Sequence, residues 1–330
     1  DGGLLDTWLR KMQMAHSTAP LEIKIDPRYL LNFGSICRRN RIDLIHIHDS
    51  TALSLTVMAD KFFSLPPFIL SKKTSFPIRD RSQTIYKYNY PKIRAILCVS
   101  EKTREITSKN IRDIEKLKVI YHGTRFEKKT ESPPIDLRKE FRLSPEVKLI
   151  GNIANHTRIK NLEGFIEVAD DLVNRKKRND FFFIQIGSFS KRTAALKRMV
   201  REKKLEEHLC FLDFIPEAST LLPQVNISVV TSKNEGIPQF IYESFYHQVP
   251  VVSTRVGGIP EIIKNGENGF LADVNAPETI ARHILSLSQD RELRDKFTER
   301  SRNILLEKFS SGSMAKQTLE EYKKAINEKF

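Results

Sequence analysis

Cysteine is scarce in this 330-residue chain: Cys37, Cys98 and Cys210 lie far apart, form no Cys-x-x-Cys pair and leave an odd count. Neither a disulfide framework nor a zinc module is indicated, and a reducing compartment, the cytoplasm, is the expected setting. Long apolar runs are also missing. Residues 181–186 and 227–230 are the most apolar stretches, far short of the ~20 residues that span a bilayer, and the first residues show no signal-peptide pattern. Glycine (13) and proline (15) are scattered rather than clustered. With 40% hydrophobic and 9% aromatic residues, this rules out collagen-like, low-complexity and wholly disordered chains. Acidic residues are the minority charge, 41 against 55 Lys and Arg, a formal net of +14. Such a balance favours an anionic partner, whether nucleic acid, a phosphorylated small molecule or an acidic membrane surface, and composition alone does not choose.

The length is about twice that of a typical ~150-residue domain, so two compact units are expected. A repeating pattern of a short apolar run followed by an amphipathic stretch predicts parallel strands with crossover helices. Strands are expected at 21–25, 43–48, 67–70, 94–99 and 118–121. A linker with Pro133 and Pro134 follows. The alternation then resumes with strands at 148–154, 181–187, 209–214, 227–232 and 250–254 and helices at 161–177 and 191–204. A Gly-rich turn region and three mostly helical stretches from Pro277 onward complete the pattern. The expected division is 1–129 for a first Rossmann-like unit, 130–146 for the linker, 147–309 for a second such unit and 310–330 for a C-terminal helix packing back on the first. Open parallel sheets of this kind bind ligands at the carboxyl ends of their strands.

The chemistry concentrates between Ile227 and Glu243. There a strand runs into the loop Lys233, Asn234, Glu235, Gly236, Ile237, Pro238, and a helix is predicted from about Gln239. A helix N-terminus presents unpaired N–H groups and about half a positive charge, which suits an anion such as a diphosphate. Glu243 follows Glu235 by eight residues, on an otherwise apolar, aromatic stretch. A carboxylate in such surroundings needs partners, and sugar or ribose hydroxyls would serve. Taken alone, Glu235 reads equally well as a solvated loop acid and Glu243 as a salt-bridged surface residue. Downstream, Gly257-Gly258-Ile259-Pro260-Glu261 and then Asn265-Gly266 and Asn268-Gly269-Phe270-Leu271 extend the pattern in order.

The runs EGIPQFIYESF and VPVVSTRVGGIPEIIKNGENGFL closely resemble the retaining, nucleotide-sugar-dependent glycosyltransferases of family 4. Residues 42–50, 95–101 and 119–127 extend the resemblance over nearly the whole chain. It implies a GT-B fold, α/β, with two Rossmann-like domains whose parallel sheets face each other across a cleft. It also implies a nucleoside-diphosphate sugar as donor, a glycan or lipid-linked acceptor and retention of configuration. Carried over by position, Glu243 would bind the ribose hydroxyls, Glu235 the donor sugar near the reacting centre, and the backbone of Gly236, Ile237, Pro238 and Gln239 the diphosphate. The family's phosphate-neutralising pair matches Lys160 and, with the usual Arg position occupied by Asn152, Arg158 as a substitute. His48 would face the cleft from the first domain, although a lone His at a strand end is commonly structural.

Lys72 and Lys73 stand where many members carry a His, which suggests an anionic acceptor. No Asp-x-Asp pair sits at a strand end, so transfer without cofactor or metal is expected. The family's first strand and Gly-rich loop have no counterpart ahead of Gly2 and Gly3, and the chain begins with Asp1, so an N-terminally truncated member is expected. Basic clusters at 38–41, 175–178 and 197–204 would suit peripheral attachment to an anionic inner membrane face, the usual setting of similar proteins in lipopolysaccharide, capsule or glycolipid assembly. Two other readings compete. A degenerate, non-catalytic nucleotide-sugar binder is one; a basic nucleic-acid-binding protein, carried by charge alone without any recognisable motif, is the other.

Overall fold

The computed structural model describes residues 4–17, 27–124 and 133–327. The strand expected at 21–25 and the pair Gly2, Gly3 lie outside the described residues. In the first part of the chain the elements run α1 (Leu4–Lys11), α2 (Pro27–Arg39), β1 (Ile45–Ile47), α3 (Ser50–Phe63), β2 (Phe68–Lys72), α4 (Ser82–Tyr88), β3 (Ile93–Cys98), α5 (Glu101–Ser108) and β4 (Leu117–Val119). The strands form one parallel sheet in the order β1-β2-β3-β4. Local chemistry fixes the helix starts that follow them. Asp49 accepts from the N–H groups of Thr51 and Ala52 to cap α3, and Ser100 accepts from Thr103 to cap α5.

The second part continues with α6 (Leu137–Glu140), β5 (Lys148–Ile153), α7 (Leu162–Asp170), β6 (Phe181–Ile186), α8 (Thr193–Glu202), β7 (Leu209–Leu212), β8 (Ile227–Val230), α9 (Gln239–Tyr246), β9 (Val251–Thr254), α10 (Ile259–Ile262) and β10 (Phe270–Ala272), then α11 (Pro277–Gln289), α12 (Arg291–Lys308) and α13 (Ser311–Asn327). Its six strands pair in parallel in the order β10-β9-β8-β5-β6-β7. β6 is buried on both faces, which is why Phe181, Phe182, Phe183 and Ile184 read as an unbroken apolar run. The chain winds outward from β5 in one direction through β6 and β7 and in the other through β8. The crevice between the carboxyl ends of β5 and β8 is therefore the switch point at which such sheets receive ligands.

Two features differ from the sequence expectation. The helix expected over 161–177 is α-helical only from Leu162 to Asp170 and continues as a π-helical turn, Asp171–Arg175. The region after Thr254, read as Gly-rich turns, contains the short helix α10 and the edge strand β10. The chain then returns to the first sheet. Thr124 bridges to Ser310, and Met314, Tyr322 and Ala325 of α13 pack on Ile69, Ala95 and Leu97 of β2 and β3.

No helix among the described residues is long and apolar enough to cross a membrane. All three cysteines are free thiols, and burial pushes Cys98 up to about 11 and Cys210 up to about 12, which leaves them poor nucleophiles at neutral pH.

Candidate functional site

Two loops meet at the switch point. The one after β5 carries Lys160 in a single 3-10 turn, Arg158–Lys160; the one after β8 carries Glu235 and leads into α9. They are stitched together: Lys233 N–H donates to the Ile159 carbonyl at 2.8 Å, and Thr231 Oγ1 donates to the Asn161 carbonyl at 3.0 Å. This brings Lys160 Nζ to 2.6 Å from Glu235 Oε1, which also accepts from Ser232 Oγ at 2.6 Å. Sequence reasoning named both members of this ion pair without foreseeing that they touch. An ammonium has three donors and Glu235 takes one, so Lys160 retains capacity for an incoming anion.

Beside the pair a cavity of about 420 Å³ opens over the ends of β5 and β6, lined among others by Asn155, Lys160, Gly187, Phe214, Gln239 and Glu243. Pro238 caps α9 with extended backbone and lines the same cavity, so the first N–H groups of the helix lie at its edge. Ile237 is buried in the core beneath. Gly236 runs so close to the first sheet that a Cβ there would lie 2.8 Å from the Lys73 carbonyl and 2.8 Å from Val99 Cγ2. Gly257, at φ +53°, is tighter still: a Cβ would lie 1.7 Å from the Glu235 carbonyl. Arg158 is exposed on the turn and does not line the cavity. Asn152, at the position where the resemblance implies an Arg, is buried in the sheet and donates to the Val229 carbonyl at 2.7 Å.

Across from Glu235, the carboxyl ends of the first sheet's strands contribute His48 after β1, Lys73 after β2 and His122 after β4. Lys72 is not available to a ligand. It is buried, and its ammonium donates to the carbonyls of Thr74 and Phe76, which folds the loop that presents Lys73. Ser75 in that loop donates to the Glu235 carbonyl at 2.8 Å.

Burial first and the Lys73 charge second hold His48 below the usual imidazole value, against a smaller opposing effect of Asp49; burial, Lys73 and His48 do the same to His122. Lys73 itself is exposed and makes no hydrogen bond or ion pair with the described residues. His122 and Phe214 were not singled out from sequence. Their only signal was position at the carboxyl end of a strand, which many residues share. No group of three or more His, Cys, Asp or Glu side chains suited to a metal ion occurs among the described residues.

Residues 135–304 match the family model described as glycosyl transferases group 1, and residues 7–128 match that of glycosyltransferase family 4. Among curated relatives, the chain is 26% identical over 181 residues to an N-acetyl-alpha-D-glucosaminyl L-malate synthase of Bacillus anthracis, covering 55% of this chain and 46% of the relative. It is 24% identical over 201 residues to the O-antigen biosynthesis glycosyltransferase WclY of Escherichia coli, covering 61% and 53%. The chain thus spans about half the length of these relatives. Among solved structures, Anabaena HepE in complex with UDP and glucose superimposes with a TM-score of 0.84 at 17% identity, covering 98% of this chain and 89% of that one. That likeness shows the fold: two parallel-sheet α/β units in the GT-B arrangement.

Proposed function

Because the chain belongs to the glycosyl transferases of group 1, with a family 4 region ahead of the group 1 region, we propose that it transfers a sugar from a nucleoside-diphosphate donor to a glycan or lipid-linked acceptor with retention of configuration. One observation carries this reading. The Lys160–Glu235 pair sits at the mouth of a cavity that also holds Glu243 and the start of α9. In the proposed complex Glu243 accepts from the ribose hydroxyls, and Phe214, half exposed at the rim, offers a ring face to the base. The diphosphate lies against the N-terminus of α9 and Lys160, and Glu235 accepts from donor-sugar hydroxyls. The bond from the anomeric carbon to the diphosphate breaks as the acceptor oxygen bonds to that carbon. The departing nucleoside diphosphate takes up the negative charge that Lys160 and the helix terminus stabilise, and the acceptor's proton leaves with it.

On the acceptor side we assign His48, Lys73 and His122 to an anionic group of the acceptor, because a lysine without a counter-ion beside two imidazoles favours one. Lys160 and the N-terminus of α9 make a metal ion unnecessary for leaving-group departure. Peripheral attachment to an anionic membrane on its cytoplasmic side belongs to the same reading. A binding-only member is the second reading, favoured by Asn152, whose amide is committed to the sheet and supplies no second cation.

The test is calorimetric titration with UDP and other nucleoside diphosphates, together with sugar release from the matching nucleotide sugars, each with and without EDTA. Binding and release that both survive EDTA are expected. Loss of release in EDTA, restored by magnesium or manganese, would end metal-independence; binding without any release would leave the second reading.

A further inference from the structure

Glu261 closes the Gly-Gly-x-Pro-Glu run, yet it lines neither the donor cavity nor the acceptor side. Its carboxylate instead reaches the other sheet. Oε2 accepts from Glu101 N–H at 2.8 Å and from Tyr121 Oη at 2.9 Å, while Oε1 accepts from Lys102 N–H at 2.9 Å. Glu101 and Lys102 open α5, so a carboxylate from the second unit satisfies two N–H groups that the helix itself leaves unpaired. Three charge-assisted bonds from one side chain are the strong kind of contact.

Both ends of this contact lead to the donor loop. On one side, Gly258 N–H donates to the Gly236 carbonyl at 2.8 Å, and a Cβ on Gly258 would stand 2.7 Å from Ser100 Cβ, so nothing larger than glycine fits between α5's cap and the donor loop. On the other, the Tyr121 ring meets Phe309 edge-on at 5.3 Å, and Phe309 packs on Tyr242 of α9 at 5.1 Å. Three residues beyond Tyr121, Thr124 Oγ1 accepts from Gln239 Nε2, at the first residue of α9.

We infer that Glu261 is a positioning residue: by holding the start of α5 and Tyr121 against the second unit, it sets the height of the donor loop, Glu235 to Gln239, opposite the first sheet. It touches no substrate in this arrangement and acts through the Gly257-Gly258 turn. The inference rests on the proposed donor site only for its catalytic consequence; the mechanical coupling stands without it.

Amide hydrogen exchange of the full chain, read by mass spectrometry, tests the coupling without any ligand. In Glu261→Gln, exchange at Glu101 and Lys102 should accelerate at least tenfold, and exchange over the donor loop several-fold, although the hydrogen bonds of Glu261 go to Glu101, Lys102, Tyr121 and Gly258 rather than to that loop. Tyr121→Phe, which keeps both backbone bonds, should accelerate the donor loop less. With UDP as probe, affinity should stay within about threefold of the parent while kcat for sugar release falls tenfold or more.

Acceleration confined to residues 101–102, with donor loop and kcat unchanged, would reduce Glu261 to a passive helix cap and overturn the inference. If Glu261→Gln exchanges faster throughout because it is unfolded, Tyr121→Phe decides alone, and an unchanged donor loop there overturns the inference equally. Should the parent fail to bind UDP or another nucleoside diphosphate, the functional reading falls while the exchange comparison still decides the coupling.

Discussion

Glu235 and Glu243 share a helix-and-loop segment but sit in different surroundings, and their removal should read differently. Glu235 is tied to Lys160 and Ser232 and faces the first sheet; Glu243 lies one helical turn inside, on the cavity wall. A charge-assisted hydrogen-bonding partner of the ribose contributes about 1.5–3 kcal/mol, so Glu243→Ala should weaken nucleoside diphosphate binding from tenfold to over a hundredfold. Glu235→Ala should reduce donor-sugar turnover far more than affinity for the free nucleotide, since its proposed partner is the sugar. It also frees Lys160 from its counter-ion, which opposes any loss of diphosphate affinity. Titration calorimetry on both variants is the check, and equal, unchanged affinities would remove the Glu-x7-Glu assignment. Sequence alone singled out Glu235 and Glu243 from the strand-to-helix segment that carries them, and the family resemblance matched Lys160; the structure brings Lys160 and Glu235 into contact. Sequence did not suffice for His122 or Ser75, whose relation to Glu235 arises only when two sheets face each other.

At the scale of elements, α13 is anchored to the first sheet partly by polar contacts around a half-buried imidazole. His46 on β1 meets Tyr322 Oη through Nδ1 at 2.5 Å and Ser71 Oγ through Nε2 at 2.8 Å, and its ring lies 4.1 Å from that of His48. Burial foremost, then the facing His48 and Lys73, push it from 6.5 down to about 4. The unfolded chain therefore binds a proton between about pH 6.5 and 4 that the folded chain refuses, so the stability linked to His46 is intact above 6.5 and declines as pH falls toward 4. His48 and His122, also lowered, add to the same slope. His46→Gln should flatten, without abolishing, the fall in thermal midpoint across that window; parallel curves for parent and variant would show that His46 is not its source. The strands were legible as elements because parallel strands buried on both faces read as near-continuous apolar runs, as over residues 181–184 of β6. β10 was not, being three residues long at the sheet edge and preceded by Gly269, and neither was the end of α7, where a π turn continues the helical spacing.

For the whole molecule, the net charge of +14 is the feature with the least specific meaning until ion pairs are assigned. Of the three basic clusters, 175–178 is largely neutralised: Arg175 lies near Glu278 and Asp170, Lys176 pairs with Asp171, and Arg178 with Asp180 at 2.7 Å. The cluster at 197–204 is partly so, through Arg198 with Glu202 and Lys203 with Asp170 and Glu167. Arg38, Arg39 and Arg41 differ. Arg38 and Arg39 at the end of α2, and Arg41 just past it, are exposed and make no ion pair with the described residues; Leu31 of α2 and Phe62 of α3, the helix on which α2 packs, are 62% and 71% exposed. Unpaired arginines beside exposed apolar side chains are what an anionic bilayer surface attracts, at about 1 kcal/mol per basic residue near it. Vesicles containing phosphatidylglycerol should therefore sediment the protein at about 50 mM salt and release it near 0.5 M, as the Debye length shrinks. Replacing Arg38, Arg39 and Arg41 together by Ser should weaken that binding about a hundredfold, while the same change at Arg175, Lys176 and Arg178 should leave it nearly intact. Equal binding by both triple variants, or equal binding of the parent to neutral phosphatidylcholine vesicles, would sink the assignment of this face and leave the charge to a soluble anionic substrate.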